Sequence, residues 1–157
     1  MASETDRELF RNLYAPLRRF AAVVGDDDME PDDLVQEVLT SALRQGPLQQ
    51  LDNPGAYLRT SIVRLVQSNR RTAGRRRDKA ALISVDLDDA HHDADSFELE
   101  GLLPEDPIDR ALVWLTAIDG FPTADASVLV GLSDAAARKR LSRIRARNTE
   151  DTTGDPI

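Results

Sequence analysis

Asp33-Leu34-Val35-Gln36-Glu37-Val38-Leu39 is the stretch around which the rest of the chain is organised. Its aliphatic residues recur at helical spacing and predict a buried stripe. Pro31 and Asp32 favour a helix start just before it, since proline suits the first helical position and the helix dipole favours an early acid. Asp33, Gln36 and Glu37 lie off the stripe. An outward polar face of this kind is usually only solvated.

A second helix is predicted over about residues 54–72, because Asn53 is a good N-cap and Pro54 a good first helical residue. Polar side chains lie mostly off its apolar stripe: Arg59, Arg64, Gln67, Arg70 and Arg71. Seven arginines and no lysine occur between residues 59 and 77. A basic face can serve solubility alone, but lysine would do that equally well, and the guanidinium fork favours phosphate recognition.

The segment before these helices predicts another one, over residues 6–24. Apolar residues recur there at spacings of three and four: Phe10, Leu13, Leu17, Phe20 and Val24. Such spacing places them on one helical face. Pro16 lies inside the pattern and predicts a kink or a break.

The last part of the chain, residues 108–147, predicts three helices. The second spans residues 122–130, and Gly131-Leu132-Ser133 forms a tight turn in which Ser133 caps the third. This third helix carries six basic side chains: Arg138, Lys139, Arg140, Arg143, Arg145 and Arg147. The arrangement is that of a DNA-binding helix-turn-helix, although any two helices joined by a short turn imitate it.

The net charge of −8 conceals a segregation of charge along the chain. Residues 59–79 hold 8 basic and 1 acidic side chain, and residues 110–147 hold 7 basic and 3 acidic. By contrast, residues 80–109 hold 10 acidic side chains and no basic one. Any functional hypothesis therefore has to account for two basic segments in an otherwise acidic protein.

Catalysis is not expected, nor is a cofactor or a metal. The chain has no cysteine, no glycine-rich phosphate loop and no Ser–His–Asp pattern. His91-His92 lies beside Asp93 and Asp95, but no second cluster of ligands accompanies them. A calcium loop starting at Asp86 fails because its sixth position is His91, where the sharp turn needs glycine.

The remaining sequence predicts a cytoplasmic protein. No apolar run approaches the length needed to span a membrane, and the charged N-terminus lacks the apolar region of a signal peptide. Overall we expect an all-α fold of two small helical domains, residues 1–79 and 108–147. An acidic flexible linker at 80–107 would join them, and a disordered tail would follow at 148–157.

The order and spacing of these pieces resemble a bacterial RNA polymerase sigma factor of the extracytoplasmic-function (ECF) type. The first half resembles sigma region two in four stretches: residues 13–20, Gly25-Asp26, residues 33–37 and residues 53–59. The second half resembles region four in four others: residues 107–111, 119–121, 131–133 and 138–143.

The resemblance implies roles for particular residues. Asp33, Gln36 and Glu37 would contact the clamp coiled coil of the RNA polymerase core enzyme. The −10 element of promoter DNA would be contacted by Asp52, Asn53, Arg59, Thr60, Arg64, Gln67, Arg70 and Arg71. The −35 element would be contacted by Arg138, Lys139, Arg140 and Arg143. The resemblance also implies an anti-sigma factor as partner, and a linker that mimics RNA in the polymerase exit path.

Two other readings stay open at this point. A stand-alone helix-turn-helix regulator would bind DNA without polymerase, and Asp33, Gln36 and Glu37 would then be free to mutate. A sigma-like decoy would bind polymerase or an anti-sigma protein without productive DNA recognition. The leading expectation is a sigma factor that binds the core enzyme and directs promoter recognition and transcription initiation.

Overall fold

The computed structural model describes residues 4–81 and 103–153, which form six α-helices and one short 3₁₀ helix at Leu48–Gln50. No strand occurs in these residues, and the all-α fold class is confirmed. The helices are α1 (Glu4–Val24), α2 (Pro31–Gln45), α3 (Pro54–Ala81), α4 (Pro107–Ala117), α5 (Thr123–Val130) and α6 (Asp134–Thr153).

Helix α1 supplies the centre of the core. Leu17, Phe20 and Val24 are fully buried, as their spacing predicts. Pro16 lies inside the helix without ending it, so the predicted break is absent. Packing of α1 against α2, α3 and α4 offsets the hydrogen bond that proline removes. Phe10 differs from the sequence expectation, because this side chain is 36% exposed.

Helices α2 and α3 begin as their sequences predict. Pro31 is the first residue of α2, and the Asn53 side-chain oxygen accepts a 3.0 Å hydrogen bond from the Ala56 N–H at the start of α3. Helix α3 extends to Ala81, beyond the predicted end near residue 72. Gly74 does not interrupt it, so the arginines at 75–77 stand on the helix.

Helices α1 to α3 pack together as the first helical group, and helices α4 to α6 form the second. The Asp106 carboxylate caps α4 by accepting the Ile108 N–H at 2.8 Å. Gly131 ends α5 in the left-handed region, with φ of 77°, which a residue without a Cβ adopts at little cost. The Ser133 hydroxyl caps α6 by accepting the Ala136 N–H at 3.1 Å. Helix α6 continues to Thr153, beyond the predicted end of order at residue 147.

The two groups share one hydrophobic core. Helix α4 packs against α1 and α3, and α5 packs against α3. Leu112, Leu115 and Ala126 are fully buried in the same cluster as Phe20 and Ile62. In the structure the second group therefore lies directly on the first.

Some sequence expectations fall outside the described ranges. The acidic tract, the two adjacent histidines and the rejected calcium loop lie largely within residues 82–102, and the end of the predicted tail lies in residues 154–157. Among the helices of the described ranges, none is both long and apolar enough to cross a membrane.

Candidate functional site

The outer face of α2 is the first candidate surface. Asp33, Gln36 and Glu37 are exposed, whereas Leu34 and Val35 beside them are buried. The stripe predicted from spacing therefore orients the helix as expected. The exposed face presents two carboxylates and an amide, a set that complements a basic surface.

A hydrogen-bonded network lies beside this face. The Tyr14 hydroxyl donates to the Asp32 carboxylate, and the Arg18 guanidinium donates to the same oxygen at 3.1 Å. The hydrogen bond from Tyr14 lowers the pKa of Asp32, and Arg18 lowers it further. The same carboxylate raises the pKa of Tyr14. The network joins α1 to the first turn of α2 and so orients the candidate face.

Arg59 does not lie where the sequence pattern places it. Its guanidinium Nε donates to the Asp119 carboxylate at 2.9 Å, and Nη1 donates to the Gly55 carbonyl at 3.1 Å. The side chain is only 11% exposed and sits 6.0 Å from the centre of the Phe20 ring. The expected outward position is wrong, because the second helical group covers this part of α3. Its role as a DNA contact stays a prediction.

The other residues predicted to contact the −10 element differ in exposure. Asp52, Asn53, Arg64 and Arg71 are exposed, and Thr60 and Gln67 are half-buried. Arg70 is exposed, but its Nε lies 2.9 Å from Asp26. The exposed cations Arg75, Arg76, Arg77 and Lys79 extend the basic surface along α3. This long helix thus presents a run of cations that can bind phosphate at several positions.

Asp26 joins three elements at the C-terminal end of α1. One of its oxygens accepts from Arg110 at 2.9 Å, and the other accepts from Arg70 at the same distance. Arg110 also donates to the Val24 carbonyl at 2.8 Å, a carbonyl at the helix end. Its side chain is 11% exposed. Arg110, from the second group, therefore caps a helix of the first.

Helix α6 carries the residues predicted to contact the −35 element. Lys139 and Arg143 are exposed, and Arg138 is exposed while pairing with Asp134 at 3.0 Å. Arg140 differs, because it turns toward α4 and donates to Asp109 at 2.9 Å. That hydrogen bond raises the pKa of Arg140 and keeps its charge in place. The Arg140 side chain thus holds α6 against α4.

Sequence reasoning assigned no role to Asp26, Arg110 or Asp119, although all three lie in the stretches that carry the family resemblance. No sequence pattern predicts that an arginine will pair with an acidic residue 60 or 84 positions away, as Arg59 and Arg110 do. Within the described ranges, no group of three or more histidine, aspartate or glutamate side chains is placed to hold a metal ion.

Comparison with known proteins bears on the identity of this helical assembly. Residues 9–76 match the family described as sigma-70 region 2. No curated protein matches the sequence. The fold is similar to that of a solved structure, the sigma factor RpoE in complex with the anti-sigma factor NepR from Bartonella quintana. The TM-score is 0.73 at 22% identity, covering 98% of this chain and 100% of that chain. The resemblance to sigma region two is confirmed in residues 9–76, and the whole chain shares the fold of a solved sigma factor.

Proposed function

We propose that this protein is a sigma factor, which binds the RNA polymerase core enzyme through the outer face of α2 and directs it to promoter DNA. The observation that carries the proposal is the exposed set Asp33, Gln36 and Glu37 on a helix that lies within the matched region 2. The Tyr14–Asp32–Arg18 network supports it, because it fixes the first turn of α2 against α1 and so leaves less backbone to be ordered on binding.

Promoter DNA is the second proposed partner. The exposed cations of α3 would contact the −10 region, and Lys139 and Arg143 on α6 would contact the −35 region. Each neutralised phosphate releases counterions, so the affinity should fall steeply with salt. An anti-sigma protein is a third proposed partner, suggested by the complex in which the structurally similar sigma factor was solved.

The test is run-off transcription with bacterial core polymerase and a genomic fragment library. Wild-type protein should give discrete transcripts, and Asp33→Ala/Gln36→Ala/Glu37→Ala should abolish both the transcripts and core binding. A matched control, Glu8→Ala/Asp125→Ala, removes two exposed acids outside α2 and should leave both unchanged.

The same experiment separates the alternatives. Core binding without transcripts would favour the decoy, a reading supported by the engagement of Arg140 with α4 rather than with solvent. DNA binding without core binding would favour the stand-alone regulator. Core binding that survives the triple substitution would contradict the assignment of the α2 face.

A further inference from the structure

The contact between the two helical groups includes Arg59, a residue that the sequence predicts as a DNA contact. Arg59 stands on α3 among the cations proposed to bind promoter DNA. Its side chain is 11% exposed and that of Asp119 is 16% exposed, so the ion pair between them is largely shielded from water. While this pair exists, Arg59 is not available to DNA.

The backbone at Asp119 is held in place by its own turn. Its N–H donates to the Trp114 carbonyl at 3.0 Å, and the Phe121 N–H donates to the Leu115 carbonyl at 2.8 Å. Gly120 between them has φ of 74°, a conformation that favours glycine. The turn therefore presents a fixed carboxylate to Arg59 when α4 and α5 lie on α3.

We propose that Asp119 is an intramolecular competitor of nucleic-acid phosphate for Arg59, so that the closed arrangement of the two groups and DNA binding by α3 exclude each other. A carboxylate and a phosphate offer the same kind of oxygen pair to a guanidinium fork. The inference rests on the proposed DNA contact of α3. It adds that the second helical group restrains that contact until the groups separate.

Competition of this kind has a distinctive signature. Removing either charge of the Arg59–Asp119 pair favours the open form, because each substitution deletes the same interaction and leaves the partner charge shielded without a counter-charge. Affinity for DNA scales with the fraction of molecules that are open. At equal open fraction, Arg59→Ala binds DNA more weakly than Asp119→Ala, since only Arg59 contacts phosphate. If the pair only held the two groups together, the DNA affinity of both variants would follow the open fraction alone.

The closed and open forms can be counted by single-molecule fluorescence transfer in the full chain. The natural sequence has no cysteine, so Ser41→Cys on α2 and Ala146→Cys on α6, both exposed positions, accept dyes specifically. Without DNA, Asp119→Ala and Arg59→Ala should each raise the low-transfer population about tenfold. The double variant leaves no unpaired charge in the contact, so it should open no more than either single variant. The control Asp125→Ala, which removes an exposed acid on α5, should not change the population.

The second measurement uses a fluorescein-labelled, mixed-sequence single-stranded DNA 20-mer on proteins without dyes. Asp119→Ala should bind it about tenfold more tightly than wild type, and Arg59→Ala should bind it more weakly than Asp119→Ala does. Circular dichroism melting confirms that each variant is folded. Equal open populations in all variants would overturn the proposal. So would weaker DNA binding by Asp119→Ala. If both variants open the chain and Arg59→Ala binds DNA as tightly as Asp119→Ala, the DNA contact of Arg59 fails, while the closing pair stands.

Discussion

The two basic helices, α3 and α6, use their arginines in different ways. In α3, Arg59 pairs with Asp119 of the other helical group. In α6, Arg140 pairs with Asp109 of α4, within its own group. The first pair lasts only while the groups are together, whereas the second can persist when they separate. Similar residues in similar basic helices therefore differ in whether a conformational change can release them.

The largest expected effect is a loss of unfolding free energy, and it shows whether the two helical groups unfold together. Phe20→Ala removes a fully buried ring from the shared core and should cost about 4 kcal/mol of unfolding free energy. The chain has one tryptophan, Trp114 on α4, so its fluorescence reports the second group alone. In urea unfolding, the fluorescence and circular dichroism midpoints should fall together, because α4 packs against α1. A fluorescence midpoint that stays in place would show that the second group is independent.

A smaller loss of stability is expected when the Arg140–Asp109 pair within the second group is removed, and it distinguishes this pair from the Arg59–Asp119 pair between the groups. Asp109→Ala should cost about 1 kcal/mol, since Arg140 is one-third exposed and keeps Asp106 at 3.5 Å. Urea unfolding monitored by Trp114 fluorescence gives this value. The open population should stay at the wild-type level in the transfer experiment, unlike that of Asp119→Ala. An increase in that population would remove the contrast between α3 and α6.

The smallest expected effect is a change in the pKa of Asp32, in the Tyr14–Asp32–Arg18 network beside the α2 face. Tyr14→Phe removes the hydroxyl that donates to Asp32, so the pKa of Asp32 should rise toward its ordinary value. In wild type this lowered pKa contributes stability above the ordinary pKa of an aspartate, and that stability is lost as the pH falls through the folded value. Carbon-13 NMR titration of the Asp32 carboxyl measures the change. An unchanged titration would assign the lowered pKa to Arg18 alone.

The helices themselves were largely predictable. Local spacing gave the buried stripes of α1 and α2, and short-range chemistry gave the caps at Asn53 and Ser133. The predicted end of α3 near residue 72 was too early, because a glycine costs a helix interior only about 1 kcal/mol and did not stop it. The candidate face of α2 was predictable for the same reason as its stripe, since one helical turn determines both.

The all-α class, the outward face of α2 and the two basic helices follow from local sequence, because they depend on residues three or four apart. Which arginines are available for binding depends on how the helices pack. Arg59 pairs with Asp119 across 60 residues of sequence, and Arg110 pairs with Asp26 across 84. Arg140 pairs with Asp109 across 31. Sequence spacing cannot predict ion pairs at such separations, since these pairs form only when the helices pack together.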